Sequence, residues 1–189
     1  MSPAPATALV LCGGASRRMG SVDKTAAAFG SGTVLDHLLD DLPAKWPVVT
    51  VGPERPTRRR TRWTREAPPG GGPVAAVAAG LALVRTDLVV VLAGDMPFAA
   101  GTAARLAAAL DDDPAVAAVV AADLDGRPNP LLAAYRTAAL RDAVPDPPAN
   151  TAARSLLAVT HTRLPVGAAD ALDVDTPEAL AAARHRLAP

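Results

Sequence analysis

Three short runs that are almost wholly apolar constrain this chain most: residues 8–11 (Ala-Leu-Val-Leu), 48–51 (Val-Val-Thr-Val) and 88–92 (Leu-Val-Val-Val-Leu). A strand with one face in water alternates apolar and polar residues. A strand covered on both faces does not alternate, and such strands belong to parallel sheets sandwiched between helices. Between the runs lie segments with helical spacing. Thr33 can cap a helix whose Val34, Leu35, Leu38, Leu39 and Leu42 share one face. Pro73 suits the first turn of a helix continued by Val74, Val77, Leu81 and Val84. Residues 102–110 form an alanine-rich helix closed by Asp111-Asp112-Asp113-Pro114, an acidic run read as a solvated turn. Thr176 as N-cap with Pro177 after it starts a last helix, running to about Leu187.

Further strands are expected at 61–64, 116–121, 131–135 and 159–164, and helices at 137–144 and from Asn150 or Thr151 to Leu157. Asp125-Gly126 favours a hairpin that adds an antiparallel strand. The first strand–loop–helix–strand passage predicts a right-handed βαβ unit. No repeat period accompanies the alternation. The predicted fold class is α/β: a three-layer α/β/α arrangement, its sheet mostly parallel with one antiparallel strand at an edge or in an insertion. At 189 residues the expectation is a single domain, residues 1–189, with residues 1–6 frayed.

Charge and composition narrow the partners. Lys+Arg and Asp+Glu are both 19, so no net charge draws the chain to nucleic acid or a membrane surface. Aromatic residues make up 3%, too few for base-stacking platforms. One cysteine excludes an internal disulfide and fits a reducing compartment. Residues 1–7 carry no basic segment, and no stretch of about 20 apolar residues could span a bilayer. The expectation is a cytoplasmic monomer with no nucleic-acid or membrane partner.

The chemistry concentrates after the first strand, in Leu11-Cys12-Gly13-Gly14-Ala15-Ser16-Arg17-Arg18-Met19-Gly20-Ser21-Val22-Asp23-Lys24. Glycines let backbone N–H groups approach a ligand, and arginine and lysine bring positive charge on long arms. That combination suits a polyphosphate. Gly70-Gly71-Gly72 before the Pro73 helix is either a second ligand loop or a plain flexible connection. Asp95, in Gly94-Asp95-Met96-Pro97, falls just past a central strand, where open α/β sheets bind ligands. A carboxylate there would repel phosphates unless a divalent cation such as Mg2+ lay between; the other reading is a turn or helix-cap aspartate. The basic segment 54–65, with Arg58-Arg59-Arg60, reads as a surface loop or edge strand. The P-loop is excluded because Lys24-Thr25 follows Asp23 rather than glycine, and the G-x-G-x-x-G fingerprint is absent from the first loop.

Taken in order, Leu11-Cys12-Gly13-Gly14-x-Ser16-x-Arg18-Met19-Gly20-x-x-x-Lys24, Gly72-Pro73-Val74-Ala75, Gly94-Asp95-Met96-Pro97 and Asp173-Val174-Asp175-Thr176-Pro177-Glu178 resemble the signature of nucleotidyltransferases acting on phosphorylated metabolites. The Gly13-Gly14 pair with Asp23-Lys24 is most similar to the molybdenum cofactor guanylyltransferases. The resemblance spans residue 8 to about Leu187 and implies a Rossmann-like nucleotidyltransferase fold. It implies that Leu11, Cys12 and Gly13 contact the nucleotide, that Lys24 binds its phosphates, and that Arg18 neutralises the leaving pyrophosphate. It gives Asp95 the Mg2+ and part of the nucleotide site. Glu66 stands where the family has an acidic nucleotide contact, usually Asp, and Val51 or Gly52 matches another contact by position. Asp173 and Asp175 occupy positions often held by Asn, with no role assigned between pterin, metal and neither. Cys12 replaces a more usual alanine and reads as a small residue at a crowded strand end.

The activity implied is transfer of GMP from GTP to the terminal phosphate of a molybdopterin-type acceptor, releasing pyrophosphate. Molybdoenzymes or cofactor-handling proteins would be its further partners. A phosphate monoester has a second pKa near 6, so the attacking group is an anion at pH 7 and needs no general base. His37, His161 and His185 are accordingly given surface or structural roles. Two alternatives stand beside this reading: a transferase using CTP or another phosphorylated acceptor, and a non-catalytic nucleotide or cofactor carrier.

Overall fold

The structure, a computed structural model, describes residues 5–13 and 23–187. β1 (Ala6–Leu11) lies near the middle of a seven-stranded sheet. The others are β4 (Val48–Val51), β5 (Arg62–Thr64), β6 (Leu88–Ala93), β7 (Ala118–Ala122), β8 (Pro128–Arg136) and β9 (His161–Pro165), in spatial order β5-β4-β1-β6-β8-β7-β9. Every neighbouring pair is parallel except the two made by β8. The sheet is thus mostly parallel with one antiparallel strand, as expected. That strand sits inside the sheet, between β6 and β7, because the hairpin about Gly126 folds back toward β6. A small antiparallel pair, β2 (Ala28–Phe29) and β3 (Gly32–Thr33), stands apart.

Side chains alternate between the two faces with the period of a strand. Ala8 and Val10 of β1 join the cluster formed with α1 (Val34–Asp41) and α3 (Ala100–Asp112). Leu9 and Leu11 join the cluster formed with α2 (Pro73–Leu81) and α4 (Thr137–Ala143). These are the three predicted layers. The α2 helix lies so close to β1 that a Cβ on Gly80 would collide with Leu9 Cδ1. The last helix, α5 (Pro177–His185), packs Leu180 and Ala183 on Phe29, Val34 and Val174.

Register decides where the loops meet. Leu11 pairs with Val51 on one side and Ala93 on the other, so β1, β4 and β6 end level. Cys12-Gly13 and the Gly94-Asp95 turn therefore leave the sheet side by side at the carboxyl edge.

Several expected boundaries move. Ala6 is 1% exposed and the Thr7 hydroxyl shares a 2.7 Å hydrogen bond with that of Thr86, so order reaches into the stretch expected to fray. α2 stops at Leu81, and Val84 is buried in the turn after it. The helix expected from Asn150 or Thr151 is a 3-10 segment, Ala153–Ala158, with Leu156 in the core. Asn150 instead adopts φ 58° and donates its N–H to the Gly71 carbonyl at 2.7 Å.

Part of the basic segment is structural. Arg59 donates to the carbonyls of Leu39, Leu42, Pro43 and Trp46, gathering the end of α1. Arg58 pairs with Asp40 at 2.9 Å. At the other end of α1, Thr33 and Asp36 form a reciprocal capping box. Burial pushes the Asp36 carboxyl up, but hydrogen bonds from Arg58 N–H and from Thr33 outweigh it, and the net displacement is below the ordinary value. A carboxyl depressed in the folded state contributes stability above its unfolded pKa of about 3.9, and loses it as pH falls through the folded value. Asp36→Asn should lower stability by about 1 kcal/mol at pH 7. In urea melts that deficit should shrink toward pH 2–3; a deficit independent of pH would show that the charge contributes nothing.

Candidate active site

Loops from four parts of the sheet close around a cavity of about 410 Å³. Leu11, Cys12 and Gly13 line it from the end of β1, and Lys24 with Asp23 and Thr25 from the far side of the first loop. Glu66, Gly70, Gly72 and Pro73 come from the β5–α2 connection, Asp95 from the turn after β6, and Leu131 from β8. Six expected site residues, Leu11, Cys12, Gly13, Lys24, Glu66 and Asp95, thus line one cavity. Val51 does not: its side chain is fully buried in the cluster with α2, and its carbonyl accepts the Cys12 N–H at 2.7 Å. Arg18 falls in residues 14–22, outside the described residues, as do Gly14, Ser16, Met19 and Gly20.

The strand ends are tied together. Gly94 donates its N–H to the Leu11 carbonyl at 2.8 Å, and a Cβ on Gly94 would stand 2.7 Å from Cys12 Sγ. Only glycine lets the Asp95 turn come this close. Burial pushes the Cys12 thiol up to about 12, with Asp23 and Asp95 adding to it and Arg55 opposing. A thiol held that far up is a poor nucleophile, which accords with a small residue packed at a crowded strand end.

Lys24 opens a 3-10 turn, Lys24–Ala26, that Asp23 caps. The Thr25 N–H donates to Asp23 Oδ1 at 3.0 Å and the Thr25 hydroxyl to the same oxygen at 2.6 Å. The Lys24 ammonium is hydrogen-bonded to Asp175 and lies 3.9 Å from Asp95 Oδ2. Val174 donates its N–H to the Asp95 carbonyl at 2.9 Å, which docks the segment before α5 onto the β6 turn. Burial raises the Asp95 carboxyl above its ordinary range; Lys24 opposes this, while Asp175 and Asp173 reinforce it. Asp173 is raised as well, by burial and then by the charge and hydrogen bond of Asp175. Among the described residues, one ammonium therefore stands among three carboxylates.

That imbalance favours a cation. Among the described residues no three His, Cys, Asp or Glu side chains are placed to hold a metal by themselves. Mg2+ does not need that: it keeps several waters and binds through one or two carboxylates plus substrate phosphates. The donor set around Asp95 fits such an ion.

Opposite, Glu66 Oε1 accepts the Gly70 N–H at 3.1 Å and lies 3.9 Å from where a Cβ on Gly13 would stand. Its loop ends on Gly72, the N-cap of α2, which offers no side-chain cap to the first turn. Free N–H groups and the helix dipole leave this end suited to an electron-rich ligand.

Some residues of the cavity lining, and others just behind it, had no site role assigned from the sequence. Asp23 and Thr25 stand in an Asp-x-Thr arrangement that marks an Asx-type turn, so a local signal existed. Arg55, which reaches Asp23 and Thr25, carried none. Asp175 was singled out by its position, but its bond to Lys24 crosses 151 residues.

Known proteins resemble this chain in sequence and in fold. The chain is 37% identical over 139 residues to a molybdenum cofactor guanylyltransferase of Mesorhizobium japonicum, a match covering 68% of this chain and 66% of that protein. It is 34% identical over 106 residues to a probable molybdenum cofactor guanylyltransferase of Methanosarcina acetivorans, covering 49% and 47%. The chain thus matches just under two thirds of the first curated relative and about half of the second. Among solved structures, molybdopterin-guanine dinucleotide biosynthesis protein A from Archaeoglobus fulgidus has a TM-score of 0.74 at 20% identity, covering 96% of this chain and 98% of that one. The 2-C-methyl-D-erythritol 4-phosphate cytidylyltransferase of Thermus thermophilus has a TM-score of 0.73 at 22% identity, covering 96% and 98%. At those identities the solved structures show the fold alone. A profile of the MobA-like NTP transferase domain matches residues 8–166. That span takes in Leu11, Lys24, Glu66, Asp95 and Leu131 of the cavity wall, and the chain belongs to the MobA-like NTP transferase domain family.

Proposed function

We propose that this chain transfers GMP from GTP to the terminal phosphate of a molybdopterin acceptor, producing a pterin guanine dinucleotide and pyrophosphate. The observation that carries this reading is the convergence of Lys24 and Asp95, 3.9 Å apart, with the glycine-lined end of β1 in one cavity. The guanylyltransferase names of the relatives support GTP as donor. The fold by itself serves cytidylyl transfer equally well.

In this reading the backbone of Leu11, Cys12 and Gly13 and the Glu66 loop hold the nucleotide. Lys24 holds the phosphates, and Arg18 meets the pyrophosphate as it leaves. Asp95 would hold Mg2+, with Asp173 and Asp175 adding negative charge nearby; the bound ion supplies positive charge against the triphosphate. The acceptor phosphate attacks the α-phosphorus as an anion. No imidazole is required, and the described residues that line the cavity include none. His37 instead stacks edge-on with Phe29 and Phe98, and His161 Nδ1 lies 2.9 Å from the Val159 carbonyl. What the site contributes is alignment and charge neutralisation.

We place the reaction in the cytoplasm, carried out by a monomer that passes its product to a molybdoenzyme or cofactor-handling protein. The lone cysteine, a buried free thiol, accords with a reducing compartment. No described helix is long and apolar enough to cross a membrane.

A thermal-shift series with GTP, CTP and ATP, each with and without Mg2+, tests the donor. The largest stabilisation should come from GTP with Mg2+, as ligand binding to the folded state requires. Pyrophosphate release with a molybdopterin acceptor should follow the same order. A preference for CTP would move the chain to cytidylyl transfer, and GTP stabilisation without turnover on any acceptor would make it a carrier.

A further inference from the structure

Arg55 does not line the cavity, yet it is bound to two residues that do. Its guanidinium pairs with the Asp23 carboxylate and donates to the Thr25 hydroxyl. The same hydroxyl donates to Asp23 Oδ1, so Arg55, Thr25 and Asp23 close a ring around the turn that opens with Lys24. Arg55 is 18% exposed and lies over the Trp63 ring at 5.7 Å, which anchors the turn to β5. Its Nε–H is buried with no acceptor among the described residues, although buried donors are nearly always met. The side chain is held there by its bonds to Asp23 and Thr25, against that unmet donor.

The charges explain what the arrangement is for. Asp23 lines a cavity read as a triphosphate site, where an unneutralised carboxylate would repel the ligand. It cannot simply be absent, since it caps the turn carrying Lys24. We propose that Arg55 is a positioning residue for nucleotide binding: it neutralises Asp23, so that the turn keeps its cap without presenting a negative charge to the triphosphate. The proposal rests on the triphosphate reading of the cavity.

It predicts an epistasis that loss of packing would not produce. Arg55→Met should weaken GTP binding about tenfold, by leaving Asp23 charged and unpaired. Adding Asp23→Asn should restore affinity to within about threefold of the parent, because asparagine still accepts the Thr25 N–H and carries no charge. Arg55→Lys, which keeps the charge but loses the fork, should fall between. The Arg55→Met defect should shrink at high salt. Calorimetric titration of GTP with Mg2+ against all four proteins, each first shown folded by its melting curve, reads these outcomes. Unchanged affinity in Arg55→Met, or no restoration by Asp23→Asn, overturns the proposal while leaving guanylyl transfer standing. If the parent protein prefers CTP, the donor assignment falls and the same series in CTP decides the role of Arg55. A parent protein that binds no nucleoside triphosphate overturns both.

Discussion

Asp95→Asn should lower Mg2+-dependent pyrophosphate release by about a thousandfold while leaving the protein at least as stable at pH 7. The two halves of this expectation come from one environment. Opposite unit charges about 4 Å apart interact by about 4 kcal/mol at an effective dielectric of 20. Losing a cation from that position corresponds to about three powers of ten in rate. In the free protein the same carboxylate is unfavourably placed. Burial raises it most; Lys24 opposes this, Asp175 and Asp173 add to it, and the net displacement is upward. A carboxyl raised in the folded state makes the folded protein bind protons more readily than the unfolded one. Stability therefore falls as pH climbs from the unfolded value, about 3.9, through the folded one. Asparagine removes that fall. Melting temperatures should show parent and variant alike below about pH 4 and the variant equal or higher at pH 7. Full turnover in Asp95→Asn would remove Asp95 from the reaction, and a large drop in melting temperature at pH 7 would show that its role is structural.

This trade between stability and activity could not be read from the chain, although the position of Asp95 could. Strands β1, β4 and β6 were legible because both their faces are buried, so apolar character runs through them without alternation. Thr33, Pro73 and Thr176 mark helix starts by local chemistry, and each lies at one. The hairpin at Gly126 was equally local. Its insertion beside β6 was not, since pairing β8 with β6 follows from packing α3 and the Leu156 segment around it. The 3-10 form of Ala153–Ala158 has the same origin: one leucine seated in the core sets a segment too short to choose its own helix. In the cavity, the glycines, Lys24 and Asp95 could be found because their chemistry is carried by residue type and by place relative to a strand. Arg55 and Asp175 could not be assigned, because their meaning lies in partners 32 and 151 positions away.

Lys24→Ala should weaken GTP binding by about a hundredfold, and the reason it is not more lies in the free protein. An ammonium meeting a phosphate could contribute about 4 kcal/mol. Here Lys24 is already hydrogen-bonded to Asp175 and within 3.9 Å of Asp95, so binding exchanges one set of partners for another. About 3 kcal/mol of net loss, or two powers of ten in Kd, is what the exchange leaves. Because the phosphates are charged before and during reaction, most of the effect should appear in KM and less in kcat. The variant should also be less stable. With the ammonium gone, Asp95 and Asp173 are raised further, so the loss should grow from pH 4 toward pH 8. A titration of GTP and a set of melts across that range measure both. Unaltered GTP affinity would exclude Lys24 from the phosphate site. A kcat collapse at constant KM would instead show that it acts on the transition state alone, and that the triphosphate is held in the ground state by the glycine loop and α2.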